Sequence, residues 1–124
     1  MKARIVLFGL LMATTTLPLG AGEPITMRVS PAVAFAPANL IVRATIEADS
    51  ENRAVVVTAD SADFYRASEM QLNGEQAPRT NTFEFRSLPP GSYEVRAILI
   101  GSSGRPRGTV RQQVNVIASG GGDR

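Results

Sequence analysis

The chain has 124 residues, of which 13 are basic and 11 acidic, giving a formal net charge of +2. It contains no cysteine and no histidine. Disulfides, thiol nucleophiles and the usual general base at neutral pH are therefore excluded. This length suits one domain, whose hydrophobic core must provide the stability without covalent bridges.

The first 22 residues have the pattern of a cleavable secretory signal peptide. Lys2 and Arg4 give a positively charged start, residues 5–13 form an apolar run, and residues 20–22 are small. The run is too short to span a bilayer, and a chain without cysteine offers no thiol for a lipid anchor. The pattern predicts a secreted or periplasmic protein, cleaved after Gly22, with no stable membrane span afterwards.

Cleavage would change the charge of the protein. Lys2 and Arg4 lie in the leader and no acidic residue does, so residues 23–124 hold 11 basic and 11 acidic side chains. A neutral domain lacks the cationic surplus that neutralises phosphates along nucleic acids. We therefore expect no nucleic-acid partner.

After the leader, apolar and polar residues alternate in several segments, which is typical of strands with one buried face. The predicted strands are residues 25–30, 40–48, 53–59, 64–72, 80–88, 92–100 and 109–117. Pro31 and Pro37 bracket a stretch that is predicted to be irregular and suits an edge segment, because proline cannot donate to a ladder. Three consecutive valines, residues 55–57, predict that their strand lies in the middle of a sheet.

Turn signals separate these segments. Asn73-Gly74 predicts a tight turn, residues 101–108 a hairpin loop, and the glycine-rich residues 119–124 a disordered tail. Strands at this spacing, without an amphipathic helix, predict an all-β domain over residues 23–118. The expected fold is a single antiparallel immunoglobulin-like β-sandwich of about seven strands.

Residues 83–97 carry the most specific pattern, FEFRSLPPGSYEVRA. It resembles the F-x-F-x-x-L-P-P-G-x-Y-x-V pattern of bacterial secreted β-sandwich modules: immunoglobulin-like, fibronectin-III-like, and carboxypeptidase-regulatory, transthyretin-like. The resemblance implies a corner at Pro89-Pro90-Gly91, where the chain passes between two sheets. It also implies that the Tyr93 ring enters the core while its hydroxyl bonds backbone near the corner. It implies architecture and names no ligand.

The residue types argue against catalysis. Once the leader is removed no lysine remains, so serine and threonine hydroxyls lack an ordinary base. We therefore predict a non-catalytic protein without a cofactor. Asp49 and Glu51 in one loop, and Asp60 and Asp63 in another, are candidate calcium ligands. These loops should fall at opposite ends of a sandwich, leaving two carboxylates at each, fewer than calcium needs. No metal site is predicted.

Two features are candidates for binding a partner. The loop at 49–52 and the loop at 101–108 should share one end, where Asp49 and Glu51 would face Arg105 and Arg107. This arrangement is either a modest surface ion-pair cluster or a polar binding rim on mobile loops. The second feature is a set of apolar residues opposite the core-facing positions of their strands, which would form either a docking patch or ordinary packing. Its members are Ile41, Val56, Ile98, Ile100 and Ile117.

These observations predict an exported, non-catalytic module for binding another envelope or secreted protein, or for structural support. One alternative is a secreted or periplasmic enzyme inhibitor or regulator that acts through its loops. Another is a carbohydrate-binding module, which is less favoured because most of the few aromatic residues after the leader are needed inside.

Overall fold

A computed structural model of the chain describes residues 23–119, so the predicted leader and residues 120–124 of the predicted tail lie outside the described residues. The described part forms eight strands and one short 3-10 turn. The strands are β1 (Ile25–Ser30), β2 (Val33–Phe35), β3 (Ala38–Ile46), β4 (Asn52–Asp60), β5 (Tyr65–Gln71), β6 (Thr80–Leu88), β7 (Gly91–Gly101) and β8 (Pro106–Ile117), and the 3-10 turn is Gly74–Gln76.

The strands form two sheets. One has the order β1-β3-β6, and the other has the order β2-β8-β7-β4-β5. Every paired neighbour is antiparallel except β2, which runs parallel to β8. The chain passes between the sheets after β1, β2, β3, β5 and β6. The predicted all-β, immunoglobulin-like sandwich is confirmed.

The core lies between the two sheets and is built from alternate residues of each strand. On β3, Leu40 and Val42 are fully buried and Ile46 is buried, whereas Arg43 points outward and is exposed. β4 lies between β7 and β5, as the run of valines predicts; Val55 and Val57 are fully buried and Val56 is half-buried on the outer face. The largest buried side chains are Tyr93, Phe85, Ile25, Leu40, Leu88 and Leu99.

Several predicted boundaries are wrong. β3 ends at Ile46 and Ala48 is exposed rather than inward, while the Glu47 N–H still donates to the Pro24 carbonyl, 3.0 Å away, as the last bond of the pairing with β1. β8 already begins at Pro106, so the loop predicted over 101–108 is only residues 102–105. The proline-bounded segment is not wholly irregular, since residues 33–35 form the edge strand β2.

The Asn73-Gly74 turn does not join two paired strands of a hairpin, since β5 and β6 belong to different sheets. Only Gly74 has a positive φ, +53°, and it begins the 3-10 turn that leads from β5 to β6 in the opposite sheet. A Cβ at this position would lie 3.3 Å from the Ser50 carbonyl oxygen. Glycine is therefore favoured here both by the backbone conformation and by a close approach.

The corner between β6 and β7 is a tight crossing of the sandwich, since only Pro89 and Pro90 join these strands of different sheets. Just before it, Ser87 adopts a left-handed φ of 58°, and its N–H donates to the Asn39 carboxamide oxygen at 3.0 Å. Beyond it, the fully buried Tyr93 donates its hydroxyl to the Pro89 carbonyl at 2.7 Å. The hydrogen bond implied by the sequence resemblance is therefore present.

A side chain joins the two sheets where β1 meets β8. The Gln112 carboxamide oxygen accepts from the Val29 N–H, and its Nε2 donates to the Val29 carbonyl, both at 3.1 Å. The amide group thus bonds one residue of β1 as a neighbouring strand would, and it satisfies backbone groups that would otherwise lack a partner. Alternation alone does not reveal this role.

Replacing Gln112 by alanine should lower the free energy of unfolding by about 1–3 kcal/mol, because two half-buried backbone groups of Val29 lose their partners. Gln113→Ala is the matched control, since Gln113 is exposed on the opposite side of the same strand. Urea unfolding of both variants measures the difference. Equal stability of the two would show that the amide contact contributes nothing.

Tyr93→Phe should lower the free energy of unfolding by about 1–3 kcal/mol, since the Pro89 carbonyl loses its donor while the ring still fills the core. Tyr65→Phe is the control, because Tyr65 is exposed and its hydroxyl has no hydrogen bond among the described residues. Urea unfolding at neutral pH measures both. If the Tyr93→Phe protein is as stable as the control, the hydrogen bond from the Tyr93 hydroxyl to the Pro89 carbonyl does not stabilise the fold.

The same variant carries a pH signature. Burial raises the pKa of Tyr93 above 10.0, against smaller lowering effects of the Ser61 hydroxyl and the Arg66 charge. The folded protein then holds this proton more tightly than the unfolded chain. Stability from this group is complete below about pH 10 and falls as pH rises through the folded pKa. Unfolding measured between about pH 9 and pH 11 should show this fall, and Tyr93→Phe should reduce it.

Candidate functional site

The loop between β3 and β4 and the loop between β7 and β8 lie at the same end of the sandwich, and Arg107 joins them. Its Nη2 lies 3.1 Å from the Asp49 Oδ2, and its Nη1 donates to the Asn52 Oδ1 at 2.5 Å. The side chain crosses directly over Gly101, where a Cβ would lie 2.9 Å from the Arg107 Cδ. A side chain at position 101 would obstruct this path.

Asn52 is the residue of this end that the sequence analysis missed. It is fully buried, and its Nδ2 donates to the Glu47 carbonyl at 2.9 Å while its oxygen accepts from Arg107. The pairing of β4 with β7 shifts register between Asn52 and Ala54. That irregularity breaks the period-two pattern, so alternation does not mark Asn52 as an inward residue.

The other two predicted site residues behave differently from each other. Glu51 accepts a hydrogen bond from the Ser102 hydroxyl, which links the two loops a second time. Arg105 contributes its backbone carbonyl, which accepts from the Gly101 N–H at 2.9 Å, and its exposed guanidinium makes no ion pair within residues 23–119. Three of the four predicted residues therefore make side-chain contacts that join the two loops: Asp49, Glu51 and Arg107. The Arg105 side chain takes no part in these contacts.

The five outward apolar residues do not form one patch. Val56 and Ile98 are direct cross-strand partners on the outer face of the five-stranded sheet, and Ile100 follows on the same face; all three are half-buried. Ile41 belongs to the other sheet. Ile117 lies at the far end of β8, opposite to the loop end, and its side chain is 43% exposed.

A smaller and more exposed cluster lies at the edge of the five-stranded sheet. Val33 and Phe35 on β2 are 55% and 66% exposed, and Phe35 is the direct cross-strand partner of Ile117. We call Val33, Phe35 and Ile117 the edge patch. The sequence signal for it is the alternation of valine and phenylalanine with alanine in residues 32–36, between two prolines.

Within residues 23–119, no strand pairs with the backbone of the edge patch on the side away from β8. The Ala32 carbonyl accepts from Asn115 at 2.9 Å, and the Ala36 N–H donates to Ile117 at 2.8 Å. Successive residues of a strand direct their N–H and C=O groups to alternate sides. The backbone groups of Val33 and Phe35 therefore point away from β8, towards the unpaired edge of the sheet.

Among residues 23–119, no three histidine, cysteine, aspartate or glutamate side chains lie together as metal ligands would. No helix in that range has the length and apolarity needed to cross a bilayer. The aromatic residues divide between core and surface: Phe83, Phe85 and Tyr93 are buried, Phe64 is half-buried, and two are exposed. The exposed pair, Phe35 and Tyr65, lie on opposite edge strands of the five-stranded sheet.

The fold defines a small immunoglobulin-like β-sandwich domain, and comparison with known proteins agrees at that level. The chain matches no protein-family model and no curated protein sequence. It is similar in structure to a superoxide reductase (neelaredoxin) from Ignicoccus hospitalis, with a TM-score of 0.61 and 14% identity over 81% of this chain and 85% of that chain. A second variant of that reductase gives a TM-score of 0.56 at 13% identity, over 82% and 86% of the two chains.

A family 76 glycoside hydrolase from a bovine Bacteroides thetaiotaomicron strain is also similar, with a TM-score of 0.55 and 14% identity. The match covers 77% of this chain and 21% of the hydrolase. At such identities these likenesses show the fold alone. No sequence-family match supports the narrower fibronectin-III-like expectation.

Arg107→Ala should lower the free energy of unfolding by about 1–3 kcal/mol, because it leaves the oxygen of the buried Asn52 without its donor. Arg105→Ala is the matched control and should change stability by less than about 0.5 kcal/mol, as an exposed residue does. Thermal and urea unfolding measure both. If the two variants are equally stable, the loop end is not held together by Arg107.

Proposed function

We propose that this protein is an exported, non-catalytic binding module that docks onto another envelope or secreted protein through the edge patch. The observation that carries the proposal is the exposure of Val33, Phe35 and Ile117 side by side on neighbouring strands. Single exposed apolar residues are ordinary on protein surfaces, whereas contiguous ones mark interaction sites. Export rests on the leader pattern of residues 1–22.

The partner that fits this edge is an extended segment that adds a strand beside β2. The free N–H and C=O groups of Val33 and Phe35 supply the backbone bonds, and their exposed side chains supply apolar contact. A large aromatic side chain such as Phe35 is a common anchor of protein interfaces.

The alternatives have less support. An inhibitor that acts through its loops needs side chains free to engage an enzyme, yet Asp49, Glu51 and Arg107 bond within the loop end. A carbohydrate-binding platform needs neighbouring exposed aromatics, whereas Phe35 and Tyr65 are separated by the width of the five-stranded sheet.

Site-specific photo-crosslinking tests the proposal in the native cell envelope. A benzophenone amino acid at position 35 of the full chain should give a crosslinked adduct with one discrete partner. The same group at position 65 is the control, because Tyr65 is similarly exposed, at 61%, on the opposite edge strand. No adduct from position 35, or the same adduct from both positions, would contradict the proposal.

With the crosslinked partner in hand, Phe35→Ser should weaken its binding at least tenfold, equivalent to about 1.4 kcal/mol. Tyr65→Ser should leave the affinity unchanged. Because both side chains are exposed, both variants should keep the unfolding temperature of the parent protein, which separates lost binding from lost folding. Unchanged affinity for Phe35→Ser would exclude the edge patch as the docking site.

A further inference from the structure

The outer face of the three-stranded sheet places two arginines directly against each other. Arg28 on β1 and Arg43 on β3 are cross-strand partners, and both are exposed. Like charges at directly opposed positions of a sheet destabilise it. The arrangement therefore has a cost that a bound anion would remove.

The other arginines located on strands have partners within the protein. Arg86 lies 3.3 Å from Glu84, and both Arg96 and Arg111 contact Glu94. The remaining ones are engaged as follows: Arg53 donates to the Ser50 and Asn52 carbonyls, Arg66 to the Arg86 carbonyl, and Arg107 to Asp49 and Asn52. Within residues 23–119, Arg28 and Arg43 alone among the strand arginines have neither an ion pair nor a hydrogen bond from the guanidinium.

A groove of about 410 Å³ lies beside these two side chains. The polar residues that line it are arginines and threonines, and no acidic residue is among them. The lining residues are Thr26, Met27, Arg28, Arg43, Thr45 and Thr80. Thr26 is the direct partner of Thr45, which is in turn the partner of Thr80, so a row of hydroxyls runs across all three strands beside the arginine pair.

We propose that this groove binds an oxyanion, namely a phosphate or sulfate group. Guanidinium groups present paired N–H donors that match the oxygens of such anions, and each bond is strengthened by charge. The threonine hydroxyls add neutral donors on one side. The anion can be free in solution or carried by a phospholipid headgroup, because both expose the same oxygens. The site lies on the opposite sheet from the edge patch and does not depend on the proposed protein partner.

The test titrates the full chain with inorganic phosphate, followed by ¹H–¹⁵N NMR at constant ionic strength maintained with chloride. Saturable shifts should centre on the amides around Arg28 and Arg43. Arg28→Thr and Arg43→Thr should each weaken binding at least tenfold. Arg86→Thr is the control, because it removes an arginine from the same sheet whose partner is a carboxylate, and it should bind phosphate like the parent.

Stability gives an independent readout. Without phosphate, Arg28→Thr and Arg43→Thr should unfold at a temperature no lower than the parent, because each relieves the repulsion and leaves a residue suited to strands. With phosphate, the unfolding temperature of the parent should rise and those of the two variants should not. A variant that unfolds early without phosphate would show that the arginine pair serves the fold instead, and would overturn the proposal.

Vesicles distinguish the sources of the anion. Co-sedimentation with phosphatidylglycerol vesicles, lost in both threonine variants and absent with phosphatidylcholine, assigns the groove to a lipid headgroup. Saturable phosphate binding without co-sedimentation assigns it to a free anion. Absence of both, or equal losses in Arg86→Thr, would overturn the proposal, since general surface charge would then account for any binding.

Discussion

The hydrogen bond from the Tyr93 hydroxyl to the Pro89 carbonyl holds the crossing by which the chain passes from the three-stranded sheet into the middle of the five-stranded one. Only two residues separate β6 from β7, and these strands belong to different sheets. The phenol holds this crossing from inside the core, while the carboxamide of Asn39 bonds the left-handed Ser87 on the other side. β7 then continues as the central strand of the larger sheet, where it pairs with both β4 and β8.

Much of this fold was predictable because burial imposes a period of two on each strand. Leu40, Val42 and Ala44 alternate with exposed or half-buried neighbours, and β6 has the bounds that its alternation predicted. The predictions failed where the end of a strand depends on its neighbour. Ala48 continues the apolar alternation of β3, yet β1 begins only at Ile25 and the bond from the Glu47 N–H to the Pro24 carbonyl is the last of their pairing. The extension of β8 back to Pro106 shortens its loop, an outcome that glycine content alone did not predict.

The candidate surfaces were less predictable, because they depend on which strands become neighbours. The sequence places Asp49 and Arg107 at the same end through strand direction alone, but it does not show that buried Asn52 receives the guanidinium. Similarly, the exposure of Phe35 depends on the parallel pairing of β2 with β8, a long-range contact without a local signal. Aromatic residues ordinarily belong to the core in so small a domain, and here two of them lie on opposite edges.

The parallel pairing of β2 with β8 also affects the order in which the domain assembles. Within the described residues, β8 is the sole strand partner of β2, and β8 also supplies the Gln112 amide that bonds β1. During synthesis, which begins at the amino end, β2 emerges about 80 residues before residues 115–117, with which it pairs. The pairing of β2 with β8 therefore forms only after the end of the last strand has emerged, and a chain interrupted before residue 115 leaves β2 without this partner.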